Sequence, residues 1–367
     1  MIWLALPALA ATAYYLLAIV AALRWPRAAR RSSAPPPVSL LKPVRGRDPR
    51  FWEAIRSCAA QEYPEFEIVF GVTDPADPAC RDIERLAGEF PGLAIRTYVV
   101  STKAANAKVG VLAVLAREAR HELLLVSDSD IEVGPGYLRD VTAPLADPAV
   151  GLVTCLYRGR AGSWASRAEA LGIATEFAPS VLVARLLGQV EFALGSTMVF
   201  RRETLAEIGG FEAIADFIAD DYQLGCRIRR LGLRIEFAPA VVETDLVGES
   251  WHETWRHQVR WSRTIRVSRP AGYFGYVVTH ATFWALVAFA AGAWWAGMLA
   301  LGVRTIAGLL VGSAILEDRK VVPFFWLIPL RDLLGVAVWL AGLFGTRVEW
   351  RGRTLRLTRD GRIEPAA

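Results

Sequence analysis

The order of apolar and polar residues divides the chain into three regions. Residues 2–23 are apolar and uncharged, long enough for a helix that crosses a bilayer. From residue 38 to residue 250, short apolar runs alternate with segments whose apolar residues recur every three or four positions. Three further apolar segments follow residue 276. This pattern predicts an α/β domain between membrane segments.

Strands and helices are predicted to alternate within the middle region. Apolar runs predict strands at 38–43, 66–72, 93–100, 123–126 and 151–157, with another near 195–202. Helical spacing predicts helices at 51–61, 80–90, 108–120 and 164–187, and a further helix that begins near 220. Repeated strand–helix–strand units predict a mainly parallel, Rossmann-like sheet.

Two aspartates follow the strand at 123–126. Its four apolar residues have no helical period, as in a strand buried on both faces, and it leads into Asp128-Ser129-Asp130. Side chains at i and i+2 of an extended segment point the same way, so both carboxylates can face one cation. Mg²⁺ or Mn²⁺ takes few protein carboxylates and adds phosphate oxygens and water. Asp128 and Asp130 are therefore candidate ligands of a metal that bridges to a diphosphate; a polar turn is the alternative.

Other charged residues are predicted near the same sheet edge. Asp74 follows the strand at 66–72 and could bind a nucleobase or ribose, or only cap the next helix before Pro75. Lys108 precedes the aspartate strand and could neutralise phosphate or remain solvated. Asp220 and Asp221 open a predicted helix, where acidic residues commonly act as caps. If the aspartate strand binds a metal, however, a general base is the group still needed for an active site, and this pair could supply it.

Composition favours a membrane protein. The 367 residues are 53% hydrophobic and include 13 tryptophans, and the net charge is +5. The arginines crowd beside the apolar segments, which indicates a membrane surface rather than nucleic acid. The four cysteines have no CxxC spacing, so a reduced compartment with incidental thiols is the simplest interpretation.

The segments at both ends predict the orientation of the chain. A cleaved signal peptide is the alternative for residues 1–23, but four arginines follow directly, within a basic and Pro-rich linker at 24–37. By the positive-inside rule, the domain after the linker is cytoplasmic. The basic tail, residues 347–367, is expected on the same side, so an even number of spans separates the two.

The region between the domain and the tail is predicted to contain interfacial and membrane segments. Residues 251–275 combine tryptophans with arginines, as in amphipathic helices at a headgroup layer, and the adjoining apolar segments argue against nucleic acid. Apolar segments at 277–298, 299–316 and 322–344 carry Arg304 and the pair Arg331-Asp332. We expect two full spans and one partial segment within 276–346.

Several motifs in this order resemble the processive-type family 2 and family 21 glycosyltransferases, with a closer similarity to ceramide glucosyltransferases and bacterial hopanoid glycosyltransferases. The similarity covers nearly the whole chain. Asp74 matches the first aspartate motif of that group, Asp128 the second and Asp221 the third. Arg260-Trp261 matches the end of its (Q/R)xxRW motif, although His257 stands where the pattern has glutamine or arginine.

The resemblance implies a GT-A fold at 38–250, a UDP-sugar donor, a divalent metal (Mg²⁺ or Mn²⁺) and inversion at the anomeric carbon. Asp221, or with less support Asp220, would act as general base. The residues expected to bind the donor are Asp74, Lys108, Asp128, Arg260, Trp261 and His257. The setting would be a membrane, with a bacterial inner membrane and a cytoplasmic catalytic domain expected.

The sequence leaves hypotheses from two classes of function open. The first is a membrane enzyme that transfers a hexose or N-acetylhexosamine to a lipid hydroxyl, with a hopanoid polyol or a ceramide as acceptor. The second is a non-catalytic sugar-nucleotide-binding subunit of an assembly or export system, which the intact aspartates oppose. Processive polysaccharide synthesis is a further enzymatic option, but the C-terminal membrane region looks too short for a channel.

Overall fold

The computed structural model describes residues 2–26, 35–246, 250–350 and 353–365. Most of the predicted linker, together with Arg351 of the tail, lies outside these residues. The helices are α1 (Leu6–Leu23), α2 (Phe51–Ala59), α3 (Ala79–Glu89), α4 (Ala107–Glu118), α5 (Tyr137–Thr142), α6 (Trp164–Gly172), α7 (Ala178–Leu186), α8 (Arg202–Glu207), α9 (Asp220–Arg230), α10 (Trp251–Ser268), α11 (Pro270–Gly275), α12 (Ala281–Ala290), α13 (Trp294–Leu310) and α14 (Ile328–Gly342). The strands are β1 (Val38–Val44), β2 (Phe66–Val72), β3 (Ala94–Val99), β4 (Leu123–Val126), β5 (Val150–Arg160), β6 (Met198–Arg201), β7 (Arg234–Asp245), β8 (Arg347–Trp350), β9 (Arg353–Leu357) and β10 (Ile363–Pro365).

Seven strands form one mixed sheet in the order β3-β2-β1-β4-β6-β5-β7. The pairs β3–β2, β2–β1, β1–β4 and β5–β7 are parallel, whereas β6 runs antiparallel to both β4 and β5. The expected α/β fold with a mainly parallel sheet is confirmed. The antiparallel direction of β6 and the edge strand β7 were not predicted. The strand β7 was missed because it carries polar residues and Pro239 and lacks a continuous apolar run.

The centre of the sheet is buried on both faces. Neighbouring residues of a strand point to opposite faces, so Leu40 packs with the layer that contains α2, α3 and α5, and Leu41 packs with the layer that contains α4 and α7. Both leucines are fully buried. Burial on two faces explains why β1 and β4 consist almost entirely of apolar residues, and it fixes the strand ends where the charged residues begin.

One long predicted helix is interrupted in the structure, and the predicted amphipathic region consists of two helices. The helix expected at 164–187 contains a π-helical turn, Ile173–Phe177, between α6 and α7. The amphipathic region 251–275 divides into α10 and α11 at Arg269, because Pro270 lacks the N–H that would continue the first helix.

Within the part of the chain that the structure describes, three helices are long and apolar enough to cross a membrane: Trp3–Leu23, Trp294–Ile315 and Arg319–Gly342. A fourth candidate is a pair, Pro270–Thr279 and Ala281–Ala290, bent by 52°. The boundary expected between residues 298 and 299 was wrong, because the chain turns at Gly292, whose φ of +77° favours glycine. Which of these segments span a bilayer stays a prediction.

The buried charges of the membrane region pair between helices rather than along one. Arg304 of α13 is fully buried and donates to both carboxylate oxygens of Asp332 in α14, at 3.1 and 2.5 Å. Thr282 donates to the same carboxylate at 2.7 Å. Arg331 instead lies 3.3 Å from Glu176 in the π-helical turn between α6 and α7. Arg331 and Asp332 are adjacent in sequence but therefore form ion pairs with different residues.

The expected basic tail is folded. The strands β8, β9 and β10 form an antiparallel sheet in the order β10-β9-β8. Its buried residues, Val348, Leu355, Leu357 and Ile363, belong to one apolar cluster. The many arginines of this segment obscured the short apolar alternation that predicts such strands.

Arg304→Met should destabilise the protein because it leaves Asp332 as an unpaired buried charge. Breaking such a pair typically costs about 3–5 kcal/mol. We expect a lower unfolding temperature in detergent for the single variant and substantial recovery in Arg304→Met/Asp332→Leu. Equal unfolding temperatures for the single variant and the wild type would contradict the importance of the pair.

Candidate active site

Charged side chains from three elements meet at the carboxyl edge of the sheet. Asp128 follows β4, Lys108 lies in the first turn of α4, and Asp220 begins α9. The Lys108 ammonium is 2.7 Å from Asp128 Oδ1 and 3.2 Å from Asp220 Oδ2. One lysine therefore joins two carboxylates whose mutual repulsion would otherwise separate these elements.

Asp221 lies on the other side of Lys108 and faces a backbone loop. Its carboxylate accepts hydrogen bonds from the N–H of Tyr222 at 2.7 Å and of Gly195 at 3.2 Å. A Cβ at Gly195 would lie 3.5 Å from Asp128 Oδ2, 3.6 Å from Asp221 Oδ2 and 3.7 Å from Lys108 Nζ. The two aspartates therefore meet across Gly195, and the missing side chain keeps the space between them open.

A second glycine allows this loop to approach α9. A Cβ at Gly225 would lie only 2.6 Å from the Phe192 backbone, so a larger residue would force the loop away from the helix. The Ala193 N–H also bonds to the Asp221 carbonyl at 3.4 Å. Close packing of α9 against the loop fixes the distance between Asp221 and Gly195.

Burial alters the proton affinity of Asp221. Desolvation, followed by the negative charge of Asp220, raises the pKa of the Asp221 carboxyl to about 6, although Lys108 opposes the shift. A carboxylate with this pKa is ionised at neutral pH and is a stronger base than an exposed aspartate. Asp221 therefore has the properties of a general base.

Asp130 is the second expected metal ligand. Its carboxylate accepts a hydrogen bond from Thr244 of β7 at 2.5 Å, and burial together with the charge of Asp128 raises its pKa. A cation between the two aspartates would relieve this repulsion. Within the described ranges no cluster of three or more histidine, cysteine or acidic residues could hold a metal. Two carboxylates nevertheless fit a cation whose remaining ligands are phosphate oxygens and water.

Lys42 was missed in the sequence. This fully buried lysine of β1 donates to the Asp128 carbonyl at 3.0 Å and to Ser127 Oγ at 3.3 Å. It fixes the turn that follows β4 and places positive charge beneath the carboxylates. A lysine inside an otherwise apolar strand was the available signal.

Tyr157 of β5 is another residue that the sequence did not single out. Burial raises the pKa of its phenol, and the charges of Glu169, Asp221, Asp128 and Asp130 raise it further. The phenol therefore stays protonated at neutral pH and can act as a hydrogen-bond donor near the aspartates. An aromatic residue in a buried strand is normally a core residue, so the sequence contained no distinguishing signal.

Asp74 is on the same edge but at a distance from this group. It follows β2, two strands from β4 in the sheet, and is exposed. A separation of two strands is about 10 Å. Its carboxylate accepts the Ala76 N–H at 2.8 Å within a turn, and the helix-capping alternative is not seen, because the N-cap of α3 is Pro78. Its role in donor binding stays a prediction.

The predicted motif residues of α10 contact the catalytic domain through Glu169. His257 Nδ1 is 2.9 Å from Glu169 Oε1, and the His257 ring lies 4.6 Å from the Trp261 ring. Glu169 is a buried residue of α6 that the sequence did not single out. His257 is therefore engaged with a carboxylate, which argues against the phosphate contact expected from its motif position. Arg260 is half-buried on the same helix, and the donor roles of Arg260 and Trp261 stay predictions.

Comparison with known proteins identifies relatives in sequence and in fold. A ceramide glucosyltransferase of Caenorhabditis elegans (ceramide glucosyltransferase 1) is 28% identical over 191 residues, which are 51% of this chain and 41% of that protein. Another from the same organism (ceramide glucosyltransferase 3) is 25% identical over 226 residues, or 60% and 49% of the two chains. The aligned segments thus span less than half of these relatives.

A solved structure with the same fold is a mannosyltransferase from Pyrobaculum calidifontis in complex with GDP-Man and Mn²⁺. It aligns with a TM-score of 0.53 and 21% identity over 93% of this chain and 97% of that one. This likeness confirms the GT-A fold. The profile of glycosyl transferase family 21 matches residues 2–363. The resemblance noted in the motifs is therefore confirmed: the chain belongs to glycosyl transferase family 21.

Proposed function

We propose that this enzyme transfers a hexose or N-acetylhexosamine from a UDP-sugar to a lipid hydroxyl, with inversion at the anomeric carbon. The observation that carries the proposal is the pair Asp128 and Asp221, which face each other across Gly195. An acid–base group and a diphosphate site must be this close for one sugar carbon to lie between them.

Asp221 acts as the general base. It accepts the proton of the acceptor hydroxyl while that oxygen forms a bond to the anomeric carbon and the bond from this carbon to the diphosphate oxygen breaks. The Gly195 and Tyr222 N–H groups orient the carboxylate for this transfer. Attack opposite the leaving group inverts the anomeric configuration. Asp220, held by Lys108, maintains the position of the helix N-terminus.

Charge at the leaving group comes from several residues. Asp128 and Asp130 would hold Mg²⁺ or Mn²⁺, which as a Lewis acid stabilises the departing diphosphate. Lys108 lies against Asp128 and adds a fixed positive charge, and Arg260 would add another. The mannosyltransferase of the same fold binds its sugar nucleotide together with Mn²⁺, which supports a metal-dependent donor site here.

The membrane supplies the acceptor in this proposal. The aligned relatives are named ceramide glucosyltransferases, which supports a lipid hydroxyl of a ceramide or a hopanoid polyol. Trp251 and Trp255 on α10 are exposed beside the catalytic domain, as expected at a headgroup layer. A cytoplasmic catalytic domain at a bacterial inner membrane fits the arginines that follow the first apolar segment.

Asp221→Asn should reduce turnover at least about 10²-fold, in line with the loss of a general base. Binding of UDP should remain within about threefold of the wild type, because the carboxylate contacts the nucleophile and not the diphosphate. Stopped assays give kcat and calorimetry gives Kd for UDP. A variant with full turnover, or one that has lost UDP binding, would remove Asp221 from the role of base.

Turnover should fall as pH decreases through about 6, since the base must be ionised and burial raises the pKa of Asp221 to about 6. The sign follows directly: protonation below this pKa removes the acceptor of the hydroxyl proton. A kcat profile between pH 4.5 and 8, on the order of three pH units around that pKa, measures it. A kcat that stays constant down to pH 4.5 would show that another group, or an unshifted carboxylate, is responsible.

Removal of divalent metal should abolish transfer, and Mn²⁺ or Mg²⁺ should restore it. Asp130→Asn should weaken Mn²⁺ binding more than tenfold because it removes one of two carboxylate ligands. Metal titration monitored by calorimetry tests this without relying on turnover. Full activity in excess EDTA would contradict the metal assignment.

The substrates are identified by incubating purified enzyme with UDP-glucose, UDP-N-acetylglucosamine or GDP-mannose and either ceramide or a hopanoid polyol. The proposal predicts a glycolipid from a UDP-sugar, detected by mass spectrometry. Polymer formation would favour polysaccharide synthesis. Nucleotide binding without any product across the panel would favour the non-catalytic subunit.

A further inference from the structure

We propose that the C-terminal sheet, β8 to β10, is a brace that positions Asp221. This inference rests on the proposed role of Asp221 as base. The brace lies against the chain just before α9 and just before α4, so it contacts both segments that lead into the charged group. It contains none of the residues that would touch substrate.

Backbone hydrogen bonds attach the brace to the segment before Asp220. The Ile363 N–H donates to the Asp216 carbonyl at 2.8 Å, and the Ile218 N–H donates to the Gly361 carbonyl at 3.4 Å. Between them, Phe217 and Arg362 form an antiparallel bridge. Residues 216–218 are thus held against residues 361–363 by this bridge and two backbone hydrogen bonds, two residues before the first aspartate of α9.

Side chains strengthen the same contact. Ile218 and Ile363 are 7% and 4% exposed and belong to an apolar cluster with Val348, Leu355 and Leu357. The Arg362 guanidinium lies over the Phe217 ring at 5.1 Å. Burial of several aliphatic groups at one contact opposes local opening of the segment.

The segment before α4 is part of the same assembly. Ala105 and Ala219 both pack against the apolar cluster of the brace. Asn106, which is fully buried, caps α4 through the Val109 N–H at 3.3 Å and donates to the Phe217 carbonyl at 2.9 Å. Its own N–H donates to the Ala215 carbonyl at 2.8 Å. The starts of α4 and α9 are therefore fixed to each other and to the brace.

The brace is also fixed to the membrane-proximal helices. Arg263 of α10 donates to the carbonyls of Phe344 and Arg347 at 2.9 and 2.6 Å. Arg266, one turn further, donates to the Gly345 carbonyl at 2.6 Å. These bonds join α10, the end of α14 and the start of β8. The brace thus connects the last membrane helix to the segment that carries the base.

The alternative is that this sheet is only a basic surface that follows the last membrane helix. In that case, loosening β10 would leave the segment before α9 unchanged. The two interpretations differ in the protection of the amides at 216–222 and in kcat, whereas donor affinity is expected to stay the same in both.

Ile363→Pro tests the brace because it removes the N–H that bonds to Asp216. Full-length protein in nanodiscs is compared with Glu364→Ala, an exposed position on the same strand. We expect amides at 216–222 to exchange roughly tenfold faster in Ile363→Pro, while the central sheet stays protected. We also expect kcat to fall roughly tenfold, with KM for the donor within about twofold of the wild type. Glu364→Ala should match the wild type in all three measurements.

Unchanged exchange and kcat in Ile363→Pro would overturn the proposal, and so would an equal effect of Glu364→Ala. If Ile363→Pro does not fold, Ile363→Ala keeps the N–H but removes the buried side chain, and the same outcomes apply to it. The exchange measurement requires no turnover. Faster exchange at 216–222 without a change in kcat would therefore show that the contact exists but would reject the positioning role of the brace. A failure of Asp221 as base would appear only in the Asp221→Asn assay.

Discussion

The active site depends on one ion-pair arrangement, the Lys108 ammonium between Asp128 and Asp220. Three carboxylates, including Asp221, approach one another at the edge of a buried sheet, where low solvent access strengthens their repulsion. Lys108 provides the opposite charge that allows β4 and α9 to meet. Burial, followed by the charge of Asp220, raises the pKa of Asp221, and Lys108 offsets only part of this shift; a raised pKa is the property that a base requires. Stability and chemistry therefore use the same charges.

The catalytic domain and the membrane helices are joined by polar contacts from one helical segment. The segment that comprises α6, the π turn and α7 provides Glu169 to His257, Thr175 to Arg304 and Glu176 to Arg331. A π turn changes the direction of the residues on either side of it and often occurs at functional positions. These contacts fix the orientation of α10 and the C-terminal helices relative to the sheet, so that a lipid acceptor would approach from a defined side.

Much of the fold could be predicted from local patterns, because β1 to β4 are short apolar runs separated by amphipathic helices. The positions of Asp128 and Asp221 could be predicted as well, since each lies beside a recognisable element and matches a family motif. The direction of β6 and the existence of β7 could not, because strand pairing is non-local and an edge strand tolerates polar residues. Glu169 becomes informative only when folding places it against His257, whereas Lys42 was missed although a lysine inside an apolar strand was a signal in the sequence. The C-terminal sheet was not predicted from the sequence, because its many exposed arginines mask the alternation of buried apolar residues that indicates strands.

A structure of the full-length enzyme with UDP and a divalent cation tests the central claim most directly. The account predicts the cation within about 2.1 Å of carboxylate oxygens of Asp128 or Asp130 if it is Mg²⁺, with the remaining ligands from the diphosphate and water. The diphosphate should lie beside Lys108, and the Asp221 carboxylate should face the space above Gly195 where the sugar carbon would be. A nucleotide bound at the opposite edge of the sheet, or a cation held without either aspartate, would contradict the account.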